Sequence, residues 1–186
     1  MSRIKVIEPE NATGRLQEIY NDIIKKRGKL ADVHKIQSLR PESIVAHLDL
    51  YLEIMFSKSE LSRAEREMMA VVVSVANGCE YCQMHHAQAL NHYWKNDDKI
   101  SQLRTDFKNA NLSNRELVLC NFANLLTANP EAFRNEKYLT PLKKIDVTDS
   151  GILNATLVVA YFNFVNRIVL SLGLEATQNE MQGYKY

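Results

Sequence analysis

Hydrophobic positions recur with a helical period along most of the chain. Between Thr13 and Gly28, apolar residues lie three or four positions apart, the repeat that turns one face of a helix towards a core. The stretch from Pro41 to Phe56 has the same period, and proline suits the first position of a helix. No segment alternates between apolar and polar residues long enough to predict a strand. The pattern predicts an all-α, multi-helix bundle.

Polar residues mark where the later helices begin and end. Ser62 with Glu65, and Ser113 with Glu116, form the Ser-x-x-Glu pattern of a capping box. The Asn77-Gly78 pair predicts a helix stop, and Gly173 predicts another. One helix is predicted from Ser62 to about Asn77, and the next from the cysteines at 79 and 82 to about Tyr93. A short helix follows Asp97, and another runs from Ser113 to about Ala128. The segment between Pro130 and Pro141 is predicted to be loosely helical, and a final helix runs from a cap at Thr148 through Leu172.

Composition and charge narrow the class of protein. Hydrophobic residues make up 46% of the 186 residues and charged residues 24%, proportions typical of a soluble globular protein with one domain, here residues 1–186. The 23 basic and 22 acidic residues give a net charge of +1, so charge predicts no binding to nucleic acid or to an anionic membrane. Consecutive apolar runs are far shorter than the ~20 residues of a membrane span, and the N-terminus does not resemble a signal peptide. We therefore predict a soluble, cytoplasmic protein.

The chain has three cysteines, Cys79, Cys82 and Cys120. This odd, small number does not fit a secreted disulfide framework. A Cys-x-x-Cys pair in a reducing compartment is more often redox-active or metal-binding. Cys120 lies among apolar residues such as Leu117 and Phe122, which predicts an inert buried thiol. The chemistry is therefore expected at Cys79 and Cys82.

The spacing around this pair predicts a relay of three groups. At the start of a helix, free backbone N–H groups and the macrodipole stabilise a thiolate, which lowers a cysteine pKa from about 8.5. His86 follows Cys82 by four residues, on the same helix face, where it can accept the thiol proton or pair with the thiolate. Glu67, on the preceding helix of the hairpin, would lie near His86 and orient its ring.

Other interpretations of these residues stay open. A zinc ion could be bound by Cys79, Cys82 and a histidine, although the further ligands would have to be scattered along the chain. Glu67 could instead pair with Arg63, one turn earlier. His85 points about a hundred degrees away from His86 around the helix, towards the site, an interface or the surface. No chemical role is predicted for three histidines without motif context, His34, His47 and His92.

The motif Glu-x11-Cys-x-x-Cys-x-x-x-His, formed by Glu67, Cys79, Cys82 and His86, resembles the active-site pattern of the alkylhydroperoxidase D and carboxymuconolactone decarboxylase superfamily. Segments 61–67, 79–86, 122–127 and 161–167 also resemble its branch of uncharacterized peroxidase-related proteins. The resemblance covers residues from about 36 to 174. It implies an all-α fold of the alkylhydroperoxidase D type.

The resemblance also implies an activity, the reduction of alkyl hydroperoxides in antioxidant defence. Cys82 would be the peroxidatic thiolate, activated by His86 with Glu67 behind it, and would become a sulfenic acid. Cys79 would condense with it to form a disulfide, which an external dithiol would reduce. In the best-known relatives this dithiol is a lipoyl group on a partner protein. No bound cofactor or metal is implied.

The resemblance further implies a homo-oligomer, commonly a trimer or hexamer built through apolar helix faces. The aromatic residues of the final helix, Tyr161, Phe162 and Phe164, fit such a face. Tyr81 occupies a position where peroxidase relatives often carry a histidine of the proton network. Because tyrosine stays neutral near pH 7, the relay is expected to differ here, with Tyr81 and His85 in supporting roles beside the cysteines.

Three other activities remain as alternatives. A general thiol–disulfide oxidoreductase would use the same cysteine pair on disulfides instead of peroxides. A non-enzymatic helical oligomer would bind zinc or sense oxidation through it. Lactone decarboxylation ranks below both, because the decarboxylase branch generally lacks the two cysteines that this chain carries.

Overall fold

A computed structural model of the chain describes residues 2–177 and Glu180. These residues form nine α-helices and no strand, which confirms the predicted all-α fold. The helices are α1 (Gly14–Arg27), α2 (Asp32–Lys35), α3 (Pro41–Phe56), α4 (Arg63–Ala76), α5 (Glu80–Trp94), α6 (Asp97–Asp106), α7 (Asn114–Ala128), α8 (Thr140–Lys143) and α9 (Asp149–Leu172). Short 3-10 turns occupy Pro9–Asn11, Phe107–Asn109, Pro130–Arg134 and Glu136–Tyr138.

Both predicted capping boxes are present. The Ser62 hydroxyl accepts a hydrogen bond from the Glu65 backbone N–H at 3.2 Å, and the Glu65 carboxylate accepts one from the Ser62 N–H at 2.7 Å. Ser113 and Glu116 repeat this geometry at the start of α7, with the same two distances. Arg115 donates to Glu65 at 2.6 Å, so the two helix starts are also joined to each other.

The two serine caps are expected to stabilise the fold by similar amounts. Ser62→Ala and Ser113→Ala should each lower the free energy of unfolding by about 1 kcal/mol, because each leaves a helix N–H without its acceptor. Urea denaturation followed by circular dichroism measures this. Ser101→Ala, at an exposed position inside α6, is the control and should change little. Equal effects at all three serines would contradict the prediction.

Helix α4 lies at the centre of the core. It packs against α3, α5, α6, α7 and α9, and is therefore covered on most sides. Its fully buried residues include Met68, Met69, Ala70, Val71 and Val73. A second apolar cluster joins α1 to α3, through Leu16, Ile19, Tyr20, Ile23, Ile44 and Leu48 among others. Any polar side chain on α4 is consequently removed from water and needs a partner inside the protein.

Helix α9 is long and apolar enough to cross a membrane by length and composition, and it is the one such helix in the described residues. Counting consecutive apolar residues missed this property, since Asn163 and Asn166 interrupt the run. In this fold α9 packs against α4 and α7, with Ala155, Val158 and Phe162 fully buried. The buried face of α9 is part of the core, which is consistent with a soluble protein.

The exposed face of α9 is also apolar. Leu153, Leu157 and Phe164 are exposed and fall on one side of the helix. Two of the three aromatic residues expected at an oligomer interface are not available for it, because Tyr161 and Phe162 are buried within the chain. Only Phe164 of that group reaches the surface, and the leucines extend its patch.

Assembly through this face of α9 stays a prediction that light scattering can test. We expect the wild type to be an oligomer at micromolar concentration and Leu157→Glu to lower its mass, since a charge within an apolar contact is costly. Tyr93→Glu, at an exposed position on α5, should leave the mass unchanged. A monomeric wild type would contradict the prediction.

Candidate active site

The cysteines lie at the turn between α4 and α5. Gly78 has a φ of +67°, a left-handed conformation that glycine adopts without strain, and it reverses the chain. Cys79 follows at the N-cap of α5, where its N–H donates to the Ser74 carbonyl at 2.9 Å. Cys82 is in the first turn of the helix. The pair was expected to share that turn, and Cys79 instead precedes it by one position.

The two sulfurs are 2.7 Å apart, and neither cysteine is in a disulfide. A disulfide bond is about 2.05 Å long, so a small movement of either side chain would close one. Cys82 lines a cavity of about 90 Å³, whereas Cys79 lies behind it with no exposed surface. Cys82 is therefore the sulfur that a molecule in the cavity meets first.

The sulfur with the lowered pKa is not the one that the sequence predicted. A hydrogen bond from Cys82 lowers the pKa of Cys79, whereas burial, followed by the interaction with Cys79, raises the pKa of Cys82. Desolvation at Cys82 thus outweighs the helix N-terminus, which was expected to keep this sulfur ionised. Hydrogen bonding from Asn166 acts in the opposite direction and lowers the pKa of Cys82. The two sulfurs ionise as a coupled pair, in which Cys79 has the lowered pKa and Cys82 the raised pKa.

Asn166 is a site residue that the motif did not reveal. It is fully buried on α9, and its amide donates to the Ser74 hydroxyl at 3.2 Å and accepts from Asn77 at 2.9 Å. These bonds fix α9 to the end of α4, just before the turn that carries the cysteines. The sequence did contain a signal for this residue. Asn163 and Asn166 are three positions apart in an otherwise apolar helix, which places two amides on one side of it.

Glu67 holds both His86 and Arg63. One carboxylate oxygen accepts from His86 Nδ1 at 2.6 Å, and the other accepts from Arg63 at 2.5 and 2.9 Å. Burial raises the pKa of Glu67, but the charges and hydrogen bonds of His86 and Arg63 outweigh it, and the net pKa is lowered. The two interpretations of Glu67, as partner of His86 or of Arg63, therefore hold together.

The ring of His86 is oriented by this carboxylate. Because an ionised Glu67 can only accept, Nδ1 carries a proton and Nε2 is left to accept one when the ring is neutral. Within residues 2–177 and Glu180, the ring makes no hydrogen bond to Cys82, so the expected direct contact is not observed. Both side chains line the same cavity, across which a water or a substrate could join them.

Tyr81 and His85 also line the cavity, but their partner is Glu180. The Tyr81 hydroxyl donates to Glu180 Oε1 at 2.6 Å, and His85 Nε2 is 3.6 Å from the same oxygen. Burial raises the pKa of Glu180, but the nearby His85 ring and the hydrogen bond from Tyr81 outweigh it and lower the pKa to about 2. Tyr81 therefore holds a residue far along the chain, 99 positions away, and its hydroxyl proton is directed to that carboxylate.

Two histidines with no predicted role belong to the cavity wall. His34, on α2, and His47, on α3, line it together with Cys82. Burial lowers the pKa of His34 to about 3 and that of His47 to about 4, so both rings are neutral. They could not be predicted from the sequence, because they come from separate helices and share no motif with the cysteines.

These neutral histidines should make the protein labile to acid. Unfolding returns each ring to an ordinary pKa of about 6.5, so below that pH the unfolded state binds more protons than the folded state. Stability is therefore complete above pH 6.5 and is lost as the pH falls towards 4, by up to about 1.4 kcal/mol per pH unit for each ring. Urea denaturation at a series of pH values should show this slope, and His47→Gln should reduce it. His92→Gln, at an exposed position, should not.

The remaining predicted groups lie away from this chemistry. Cys120 is fully buried, as predicted, and burial raises its pKa, while its inertness stays a prediction. His92 is exposed on α5. In the part of the chain that the structure describes, no three His, Cys, Asp or Glu side chains converge into a group that could hold a metal ion.

Known proteins share both the motif-bearing region and the fold. The sequence profile of the carboxymuconolactone decarboxylase family matches residues 43–124, which include Glu67, both cysteines and His86. An uncharacterized peroxidase-related protein from Silicibacter sp. TM1040 is 25% identical, with a TM-score of 0.83 over 100% of both chains. The family match over residues 43–124 and the shared fold support a relationship to the alkylhydroperoxidase D and carboxymuconolactone decarboxylase superfamily. Among curated proteins, no sequence matches it.

Other structures with this superfamily's fold have varied descriptions. One is the alkylhydroperoxidase AhpD core of an uncharacterized peroxidase-related protein from Ralstonia eutropha JMP134, with 24% identity, a TM-score of 0.85 and coverage of 97% of this chain and 94% of that chain. Another is the debrominase Bmp8, with 17% identity, a TM-score of 0.77 and coverage of 97% and 98%. A cysteine variant of Bmp8 has been solved in complex with 2,3,4-tribromopyrrole. At these identities the likeness concerns the fold.

Proposed function

We propose that this alkylhydroperoxidase D-like protein is a thiol-dependent peroxidase that reduces alkyl hydroperoxides, using Cys82 and Cys79 as its redox pair. The observation that carries the proposal is the 2.7 Å separation of the two sulfurs, with Cys82 on the wall of a cavity that also contains His86. Its role would be antioxidant defence in the cytoplasm, where reduced dithiols are abundant.

The first step needs a thiolate at Cys82. The proton that the two sulfurs share can pass to Cys79 or, through a water, to His86 Nε2, and Glu67 stabilises the imidazolium that results. The Cys82 thiolate then attacks the terminal oxygen of the peroxide. A sulfur–oxygen bond forms, the oxygen–oxygen bond breaks, and the alkoxide takes up a proton and leaves as an alcohol. Cys82 is oxidised to a sulfenic acid.

The second step uses the lowered pKa of Cys79. Its thiolate attacks the sulfur of the sulfenic acid, a disulfide forms, and hydroxide leaves and takes up a proton to become water. An external dithiol, such as a lipoyl group on a partner protein, restores both thiols by exchange and is oxidised to its own disulfide. The protein itself then needs no bound cofactor or metal.

The cavity favours peroxides over protein disulfides. Cys82 has only 2% of its surface exposed, and it lies on the wall of a cavity of about 90 Å³. A small peroxide group fits such a space, whereas a disulfide on the surface of another protein does not reach the sulfur. This argues against general thiol–disulfide exchange.

The proposal is tested by adding one equivalent of an alkyl hydroperoxide to the reduced protein. We expect two thiols to be lost for each peroxide consumed, and turnover to continue when dihydrolipoamide is added. Metal analysis of protein purified without chelator tests the zinc alternative in the same sample. Stoichiometric zinc with unreactive thiols, or faster reduction of small disulfides than of peroxides, would contradict a peroxidase.

A second candidate function is the removal of a halogen from a small aromatic ring. It is favoured by the aromatic side chains of the cavity wall, namely Tyr51, Phe56, Tyr161 and Phe162. The similarity in fold to a debrominase is compatible with it. Release of bromide from a brominated pyrrole in the presence of a dithiol, faster than the loss of a hydroperoxide, would favour this function over the first.

A further inference from the structure

A chain of three hydrogen-bonded side chains leads to the cavity and is not used by the mechanism above. Gln37 Nε2 is 2.7 Å from the Val33 carbonyl and 2.7 Å from His47 Nδ1. The other ring nitrogen, His47 Nε2, is 2.7 Å from the Tyr161 hydroxyl. His47 and Tyr161 both line the cavity with Cys82. The side chains come from three parts of the chain, the segment after α2, α3 and α9.

The direction of every bond in this chain is determined at its first member. A backbone carbonyl can only accept, so the Gln37 atom beside Val33 is the amide nitrogen, and its second hydrogen is donated to His47 Nδ1. Nδ1 therefore carries no proton. Because burial keeps the ring of His47 neutral, its single proton is on Nε2 and is donated to the Tyr161 oxygen.

The Tyr161 hydroxyl is left with a hydrogen to donate. Its oxygen accepts from His47, and within the described residues this is its one hydrogen bond. The side chain is 5% exposed, and burial raises its pKa well above the ordinary value, so the hydroxyl stays protonated. A buried O–H on a cavity wall donates to whatever polar atom occupies the cavity.

We propose that Tyr161 is a catalytic residue, which donates its hydroxyl hydrogen to the departing oxygen of the peroxide while the Cys82 thiolate attacks the other oxygen. This inference rests on the proposed peroxidase function and adds a group that none of the motif residues supplies. The tyrosine is preorganised, because the bond from His47 fixes the hydroxyl before the substrate arrives.

The step balances with Tyr161 as proton donor. The sulfur of Cys82 bonds to the terminal peroxide oxygen, which keeps its hydrogen, and the oxygen–oxygen bond breaks. The alkoxide takes the Tyr161 proton and becomes the alcohol. The tyrosinate recovers a proton from the imidazolium of His86, which had received the Cys82 proton, through a water in the cavity. The sum is thiol plus hydroperoxide to sulfenic acid plus alcohol.

His47 and Gln37 act through Tyr161 as positioning residues. Without the amide bond from Gln37, the ring of His47 could carry its proton on Nδ1, and Nε2 would then accept from Tyr161 and withdraw the hydroxyl hydrogen from the cavity. Tyr161 can therefore donate into the cavity only if each hydrogen bond runs from Gln37 to His47 and from His47 to Tyr161.

The test compares leaving groups in Tyr161→Phe. Formation of the Cys82 sulfenic acid is followed in a single turnover, with an alkyl hydroperoxide, whose alkoxide needs a proton, and with a peroxy acid, whose carboxylate does not. We expect a loss of about 10²-fold with the first and less than about 10-fold with the second. Tyr20→Phe, which removes a buried hydroxyl bonded to the Ile7 carbonyl away from the cavity, is the matched control and should lose neither rate.

Thiol alkylation separates a loss of proton donation from a disturbed thiolate. The rate of Cys82 alkylation by iodoacetamide should be unchanged in Tyr161→Phe, since iodide leaves without a proton. Equal losses with both peroxides and iodoacetamide, or no loss with the alkyl hydroperoxide, would overturn the role of Tyr161 while the wild type remained a peroxidase. A wild type that reduces no peroxide would overturn the proposed function itself.

Replacements of His47 test the direction of the chain. His47→Gln keeps a donor near the position of Nε2 and should retain most of the alkyl hydroperoxide rate, whereas His47→Leu should lose it to nearly the extent of Tyr161→Phe. Both variants should keep the peroxy acid rate within about 10-fold. Equal behaviour of the two variants with the alkyl hydroperoxide would contradict a positioning role.

Discussion

Cys82→Ser is expected to lose peroxide reduction by about 10³-fold or more, because the hydroxyl that replaces the thiol is not ionised by the groups around it. Cys79→Ser should behave differently. It keeps the sulfur that lines the cavity and should consume one equivalent of peroxide, then stop with Cys82 as a sulfenic acid. Peroxide loss measured with and without a dithiol, and dimedone labelling analysed by mass spectrometry, distinguish the two variants.

Cys120→Ser is the control for this pair, since Cys120 is buried outside the cavity and should be dispensable for activity. The opposite result would exchange the roles of the two sulfurs. In that case Cys82→Ser would still consume one equivalent of peroxide, and Cys79→Ser would consume none.

Glu67→Gln is expected to have the largest effect on stability. The carboxylate is fully buried and pairs with Arg63 and His86, so its removal leaves the partly buried Arg63 guanidinium without a counter-ion. Breaking a buried pair from one side costs about 3–5 kcal/mol. Urea denaturation of the variant should show a loss of this size. Glu53→Gln, at an exposed position on α3, should change little.

The effect of Glu67→Gln should depend on pH in a defined direction. Because the folded pKa of Glu67 is lowered, its contribution is fully present above the ordinary carboxyl pKa of about 4.5 and is lost as the pH falls through the folded value. The difference in stability between wild type and variant should therefore be greatest at neutral pH and shrink in acid. A difference that stayed constant as the pH fell from 7.5 to well below 4.5 would contradict the ionised carboxylate.

Local patterns in the sequence predicted the helices and one pair within the site. Each capping box, at Ser62 and at Ser113, depends on residues three positions apart. The local sequence is therefore enough to predict where these two helices begin. The Glu67–His86 contact follows almost as directly, since a hairpin with Gly78 at its tip brings those positions together. Spacing alone could decide these features.

The features that the sequence did not predict depend on how distant helices pack. The pKa of Cys82 is raised by burial, which no spacing rule reports, and Tyr81 is held by Glu180 from the far end of the chain. His47 and Tyr161 meet only because α3 packs against α9. A pattern read along one helix contains no information on which side chains a second helix will bring to it.

The position of Cys79 behind Cys82 has a kinetic consequence for the proposed cycle. The peroxide and the dithiol must both reach Cys82 through the same cavity. The dithiol therefore cannot enter until the alcohol formed from the peroxide has left. Initial velocities measured at several fixed dithiol concentrations should accordingly give parallel double-reciprocal plots, the signature of a ping-pong scheme. A narrow, extended dithiol should also reduce the disulfide faster than a bulky one. The reason is that access to the buried sulfur, and not complementarity to the protein surface, would limit the rate of reduction.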